Sequence, residues 1–237
     1  MWRKKLYLIV SLFWVGISYA SGFIDVKSPD GTVALTVVHE ENFKLYYKVF
    51  YRGKEATGYS GMAIKLQSPA VVLDQFDLSG IDSSVINETW KPVWGEVNTI
   101  RNNYKQLVIK LADRSGSGII LHIIFRVFND GLGFRYVFPQ QKKLNHFIVA
   151  DELTQFRMTG DHKTFWIPGD YDTNEFMYNT TKLSEVDASS SAMSQEIYAK
   201  TFFDKNAVQT PLMMKSADGL YINIHEAALV NYPAMNL

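Results

Sequence analysis

Apolar and polar residues alternate with a period of two along most of this chain. "TVALTVVHE" (residues 32–40) and "KLYYKVFYRGKEA" (44–56) each alternate over a strand length and are rich in β-branched and aromatic side chains. The Arg52-Gly53 pair inside the second run predicts a hairpin turn. "MAIKLQ" (62–67) reads as a short strand, and "SPAVVLDQFDLSGIDSS" (68–84) as strand and loop. Two longer strands follow, "KQLVIKLADR" (105–114) and "GIILHIIFRVFND" (118–130), divided by Ser-Gly turn chemistry. The Asn129-Asp130-Gly131 turn leads into "GLGFRYVFPQ", and "PLMMK" and "LYINIHEAAL" flank the hairpin signal "SADG". No segment carries a sustained apolar stripe of period 3.6; the nearest is "SSSAMSQEIYAK" (189–200), which is polar and Ser-rich. Many strands at short spacing predict an all-β fold, a large antiparallel β-sandwich.

Composition refines the picture in three ways. A 47% hydrophobic, 14% aromatic chain of 237 residues has ample material for a packed core. Lys plus Arg and Asp plus Glu stand at 24 each, and no basic stripe is visible, which argues against a nucleic-acid partner. Neutral charge with many aromatics suits an uncharged ligand such as a sugar, and it equally suits a plain β core. The first twenty residues stand apart. Arg3, Lys4 and Lys5 precede the apolar run "LYLIVSLFWVG", and "SYA" closes it with small residues. We read residues 1–20 as a signal peptide cleaved after Ala20, and 21–237 as the folded domain, with no membrane segment after cleavage. Without cysteine there are no disulfides, so export points to a bacterial periplasm.

Familiar catalytic patterns are missing: no Cys, no G-x-S-x-G, no HExxH. His122 and His225 sit in strand patterns and read as structural, and His225 and Glu226 face opposite sides of a strand. "ETWKPVWGEVNTIRNNY" (88–104) sets Trp90 and Trp94 among Glu88, Glu96 and Arg101. The two rings could stack on a sugar, or cover one end of the core with Glu96 and Arg101 as a structural pair. "FWIPGDYDTNEF" (165–176) is the densest stretch, with Asp170, Asp172, Asn174 and Glu175 beside four aromatic rings. Hard cations such as calcium take oxygen ligands of these kinds, and an acidic turn capping its own backbone is the alternative.

Taken together, "ETWKPVWGE", "IRNNY", "FNDGLGFRYVFPQQ", "GDHKTFWIPGDYDTNE" and "LMMKSADGLYINIHEAAL" resemble the N-terminal region of glycoside hydrolase family 97. The resemblance runs in near-continuous order from about residue 25 to the last residue. It implies a β-super-sandwich of the galactose-mutarotase-like kind, ahead of a (β/α)8 catalytic barrel in the same polypeptide. It also implies that the catalytic carboxylates lie on that barrel and none in this chain. Calcium is the implied cofactor, with Glu175 as the one ligand supplied from here. A substrate contact carries over to the segment Glu196, Ile197 and Tyr198, where this sequence departs from the family pattern. The expected parent is an exported α-glucosidase acting on starch-derived α-glucan oligosaccharides, with α-galactosidase as the alternative. A stand-alone carbohydrate-binding sandwich using Trp90, Trp94 and Trp166 remains open beside it.

Overall fold

The computed structural model describes residues 22–170, 174–189, 204–230 and 232–237. Its named elements are fifteen strands and one short 3-10 turn, Leu183–Glu185. Strands β1 (Gly22–Lys27), β2 (Val33–His39), β3 (Leu45–Tyr51) and β4 (Lys54–Gly61) form one antiparallel sheet in chain order. Opposite it stand β7 (Phe76–Trp90), β8 (Ile100–Asp113), β9 (Ile120–Val127) and β10 (Leu132–Val137), in the order β10-β9-β8-β7. A smaller sheet pairs β5 (Ile64–Ser68) with β6 (Val71–Leu73) and β11 (Ile148–Glu152). The last sheet, β13-β12-β14-β15, contains β12 (Lys163–Trp166), β13 (Asn179–Lys182), β14 (Leu212–Lys215) and β15 (Tyr221–Ile224).

The period-two pattern places alternate side chains on one face of each strand. Val33, Leu35 and Val37 of β2 thus meet Leu121, Ile123, Phe125 and Val127 of β9 in a single core. Tyr47 of β3 bridges the layers, its ring 6.3 Å from Phe125 and 6.1 Å from Phe134. Its phenol donates to the Gln155 carbonyl at 2.7 Å, and burial pushes its pKa up. This is an all-β antiparallel sandwich, as the alternation predicts.

The turns fall where their chemistry puts them. Arg52 (φ 50) and Gly53 (φ 78) form a two-residue turn between β3 and β4, with both residues left-handed as that hairpin requires. "SGSG" joins β8 to β9, Asn129-Asp130-Gly131 joins β9 to β10, and "SADG" joins β14 to β15.

Two findings differ from expectation. Residues 76–90 are one fifteen-residue strand, whereas the stretch 68–84 reads from sequence as strand and loop. Strand β8 begins at Ile100, so the motif with Trp90 and Trp94 is the distal end of a β7–β8 hairpin rather than a cap on the core. The polar stretch 189–200 falls almost wholly outside the described residues.

Residues 153–158 line the edge of β4. Leu153 donates to Ala63, Gln155 to Gly61 and Gly58 to Arg157, at 2.7–2.9 Å. That covering segment leads directly into the last sheet.

Candidate functional site

The dense stretch singled out in the sequence begins in β12, the strand between β13 and β14. Alternation turns Thr164 and Trp166 inward, where Trp166 joins Val208, Leu212 and Met214 in a second core. The Trp166 indole N–H donates to Thr181 Oγ1 at 2.9 Å, locking β12 to β13. Trp166 is 2% exposed, so it cannot stack on a glycan, which corrects the expectation for that residue.

Beyond Trp166 the chain leaves the sheet and returns at Asn179. Ile167 and Phe176 are both buried and pack together, closing the base of this loop. Two neighbouring segments brace its first residues. Gln209 donates to the Ile167 carbonyl at 3.1 Å, and Gly169 donates to Ala207 at 3.0 Å. On the far side of Val208, the last residues of the chain pair in turn: Val208 and Leu237 exchange hydrogen bonds at 2.9 Å, and Gln209 bridges to Asn236. A Cβ on Gly169 would lie 2.6 Å from Asn236 Oδ1, so the loop passes that side chain at a distance only glycine permits.

Glu226 fixes this third segment. Its carboxylate accepts hydrogen bonds from the Thr210 hydroxyl and the Met235 backbone N–H. Glu152 of β11 holds the same stretch from the sandwich side, accepting the Tyr232 hydroxyl at 2.7 Å and that of Thr154 at 2.8 Å. Sequence reasoning missed both roles, because neither glutamate is near the loop in sequence and nothing in its neighbours marks it.

On the returning arm of the loop, either side of buried Phe176, Asn174, Glu175, Met177 and Tyr178 are exposed. Glu175 makes no hydrogen bond or ion pair among the described residues. Asp170 is buried at the loop's start and has a partner of its own. Asp172 lies outside the described residues, as do Glu196, Ile197 and Tyr198. Among the described residues, no three His, Asp or Glu side chains converge into a metal cage. The fit to a hard cation is therefore that of an outlying ligand: one carboxylate, held out from a braced loop, with further oxygens needed from elsewhere. A cavity of about 400 Å³ lined by Phe23, Val38, Glu40, Glu41, Asn42 and Tyr59 includes none of this loop.

The second aromatic motif lies elsewhere. Trp94 is 87% exposed and Trp90 49%, and Arg101 donates to Asn87 Oδ1 at 3.0 Å instead of pairing with Glu96. His225 Nδ1 meets its neighbour's carbonyl at 3.0 Å, a local contact.

Comparison with known proteins places this geometry. Residues 26–237 match the glycosyl-hydrolase 97 N-terminal family. The chain belongs to that family. A retaining alpha-galactosidase from Bacteroides thetaiotaomicron is 23% identical over 247 residues, covering 99% of this chain and 33% of that protein. A glycoside hydrolase family 97 enzyme from Pseudoalteromonas sp. strain K8, solved with panose, is 27% identical with a TM-score of 0.76. The match covers 90% of this chain and 30% of that one; the same enzyme with acarbose superposes at 0.74. A beta-arabinopyranosidase, 21% identical with a TM-score of 0.72 over 87% of this chain and 32% of that one, shares the fold. This glycosyl-hydrolase 97 domain thus spans about a third of the length of the proteins it matches.

Proposed function

We propose that this chain is the N-terminal domain of an exported, calcium-dependent α-glycoside hydrolase acting on α-glucan oligosaccharides. Its role is to pack against a (β/α)8 catalytic barrel in the same polypeptide and to present Glu175 to an ion held mainly by that barrel. The observation that carries this reading is the build of the loop. Buried Ile167 and Phe176 close its base while Glu175, next to Phe176, stands exposed. A carboxylate used to cap its own turn would fold back on local N–H groups. One offered to a cation outside the domain stays outward. Calcium at such a place would orient sugar hydroxyls and stabilise negative charge. What this chain contributes is a preorganised oxygen and the rigidity that fixes it.

The family match supports hydrolysis of glycosidic bonds, and the panose and acarbose complexes of the Pseudoalteromonas enzyme support an α-glucan substrate. The Bacteroides relative favours a second reading, an α-galactosidase on the same scaffold. Export rests on the positive and apolar leader of residues 1–20. A contact of Glu196, Ile197 or Tyr198 with the substrate is part of the same proposal. So is the absence of catalytic carboxylates from this chain, which by itself should turn over nothing.

The test is to express the polypeptide encoded by the whole reading frame and assay it on aryl α-glucoside and aryl α-galactoside, with calcium and after chelation. Calcium-dependent turnover of the glucoside is expected. Preference for the galactoside would select the second reading. Turnover by residues 22–237 alone, or indifference to chelation, would overturn the assignment of roles.

A further inference from the structure

The β7–β8 hairpin outruns the sheet it belongs to. β7 pairs with β8 from Phe76–Asp113 through to Trp90–Ile100, whereas β9 pairs with β8 only over Lys105–Ala112. Residues 86–90 and 100–104 therefore form a two-stranded ribbon with no third strand beside them. Such a ribbon is marginal in water unless something packs on it. This one also carries an apolar stripe. Ile86 lies opposite Tyr104 and Trp90 opposite Ile100, four residues apart on each strand and hence on one face. Tyr104 roots the stripe in the sandwich through its ring contact with Phe128 at 4.9 Å. Past the ribbon's end, Val93, 99% exposed, and Trp94 add further apolar surface. Polar atoms border the stripe at the Glu88–Asn102 hydrogen bond, 2.8 Å, and at its root, where the Arg126 guanidinium lies 4.8 Å from the centre of the Tyr104 ring. Fully exposed valine and tryptophan at the end of a protruding arm mark a surface made to be covered.

We infer that this arm docks, through Trp90, Val93 and Trp94, into an apolar recess on the portion of the polypeptide that follows this domain. The inference rests on the reading of the chain as the leading third of a longer hydrolase. The relatives supply that length: about two thirds of each lies outside the matched region. A sugar platform would explain the two tryptophans but not the valines at 93 and 97, both exposed beside them. A second copy paired along the open edge of β7 would leave the tip uncovered. Packing against the following domain covers tip and stripe together and clamps the two parts at a point distant in sequence from their covalent join.

Hydrogen–deuterium exchange read by mass spectrometry tests this, on residues 22–237 alone and on the full polypeptide. Amides of 86–90 and 100–104 should exchange about tenfold more slowly in the full polypeptide. The double substitution Val93→Ser and Trp94→Ser should abolish that protection without lowering the melting temperature of the 22–237 chain, since both side chains are in water there. Equal exchange in the two forms, or protection that survives the substitutions, overturns the inference. So does protection in the 22–237 chain that depends on its concentration, which would assign the arm to a second copy, or protection that appears only with maltotriose, which would make it a sugar site. A reading frame that closes at Leu237 also overturns it. Turnover on the same preparations separates the two proposals: glycosidase activity with an unprotected arm sinks the docking alone, and a protected arm without activity sinks the enzymatic reading alone.

Discussion

Glu175 is the residue on which the proposed chemistry turns, and its isolation makes it easy to test. Glu175→Gln keeps the shape of the side chain and removes its charge. Calcium affinity follows the number of charged ligands, so the full polypeptide should need roughly 10- to 100-fold more calcium for half-maximal turnover, with its melting temperature unchanged. Turnover at the ordinary calcium requirement would sink the ligand role. Gly169 makes the complementary case for rigidity. An added methyl would press on Asn236 Oδ1 and come within 3.3 Å of Ala207. Gly169→Ala should therefore cost about 1–3 kcal/mol by overpacking. Removing the obstruction tests the cause: Asn236→Ala in the Gly169→Ala background should recover much of the loss, and strict additivity would show that the clash lies elsewhere. Glu226 acts one step further back. Glu226→Ala leaves the Met235 N–H without its acceptor, and it should raise the calcium requirement in the same direction as Glu175→Gln while also lowering the melting temperature.

At the scale of elements, the sandwich and its arm should answer mutation oppositely. Phe125 sits at the centre of the core, fully buried against Tyr47 and Phe134. Phe125→Ala should cost about 3–5 kcal/mol, measured by urea unfolding of residues 22–237. Trp94→Ser, on the same chain, should fall within about 0.5 kcal/mol of zero. A loss above 2 kcal/mol for Trp94→Ser would mean that the arm folds back on its own domain. This contrast bears on what could be read from the sequence. Strands β2, β3, β8 and β9 were legible because one face is buried, which forces strict alternation. The far half of β7, "IDSSVINETW", carries Ser, Asp and Asn, residues poor in strands, and its local pattern does not mark it as one strand. Its pairing with the apolar β8 sets its conformation, a tertiary effect invisible to local propensity. Strand β13, "NTTK", is only four residues long and is held by Trp166 and the register of β12. The oxygen-rich loop was legible as a cluster because its residues are consecutive. Its brace was not, because Ile167, Ala207, Glu226 and Asn236 meet only in three dimensions.

At the scale of the whole molecule, a charged contact that joins the sandwich to the last sheet can be read out by pH. Lys54, at the start of β4, pairs with Asp218 of the β14–β15 turn at 2.7 Å. The hydrogen bond from Lys54, then that from the Ser216 hydroxyl, holds the Asp218 pKa down from the ordinary 3.8 to about 2. A carboxyl whose folded value is depressed stabilises the folded state above its unfolded value, and loses that contribution as pH falls through the folded one. The link should thus be complete above about pH 4 and vanish by about pH 2, with Lys54 charged throughout. Both side chains are substantially exposed, 67% and 49%, so the effect is small and screened by salt. Melting curves of the wild-type chain and of Asp218→Asn, taken from pH 6 down to pH 2 at low ionic strength, measure it. The wild type should melt slightly higher at pH 6, and the two curves should converge between pH 4 and pH 2. In 1 M salt the difference at pH 6 should shrink. A gap that persists unchanged to pH 2 would show that Asp218 acts through its turn geometry, with Ser216 as its partner, and that the union of the two sheets rests on the neutral contacts along residues 153–158 instead.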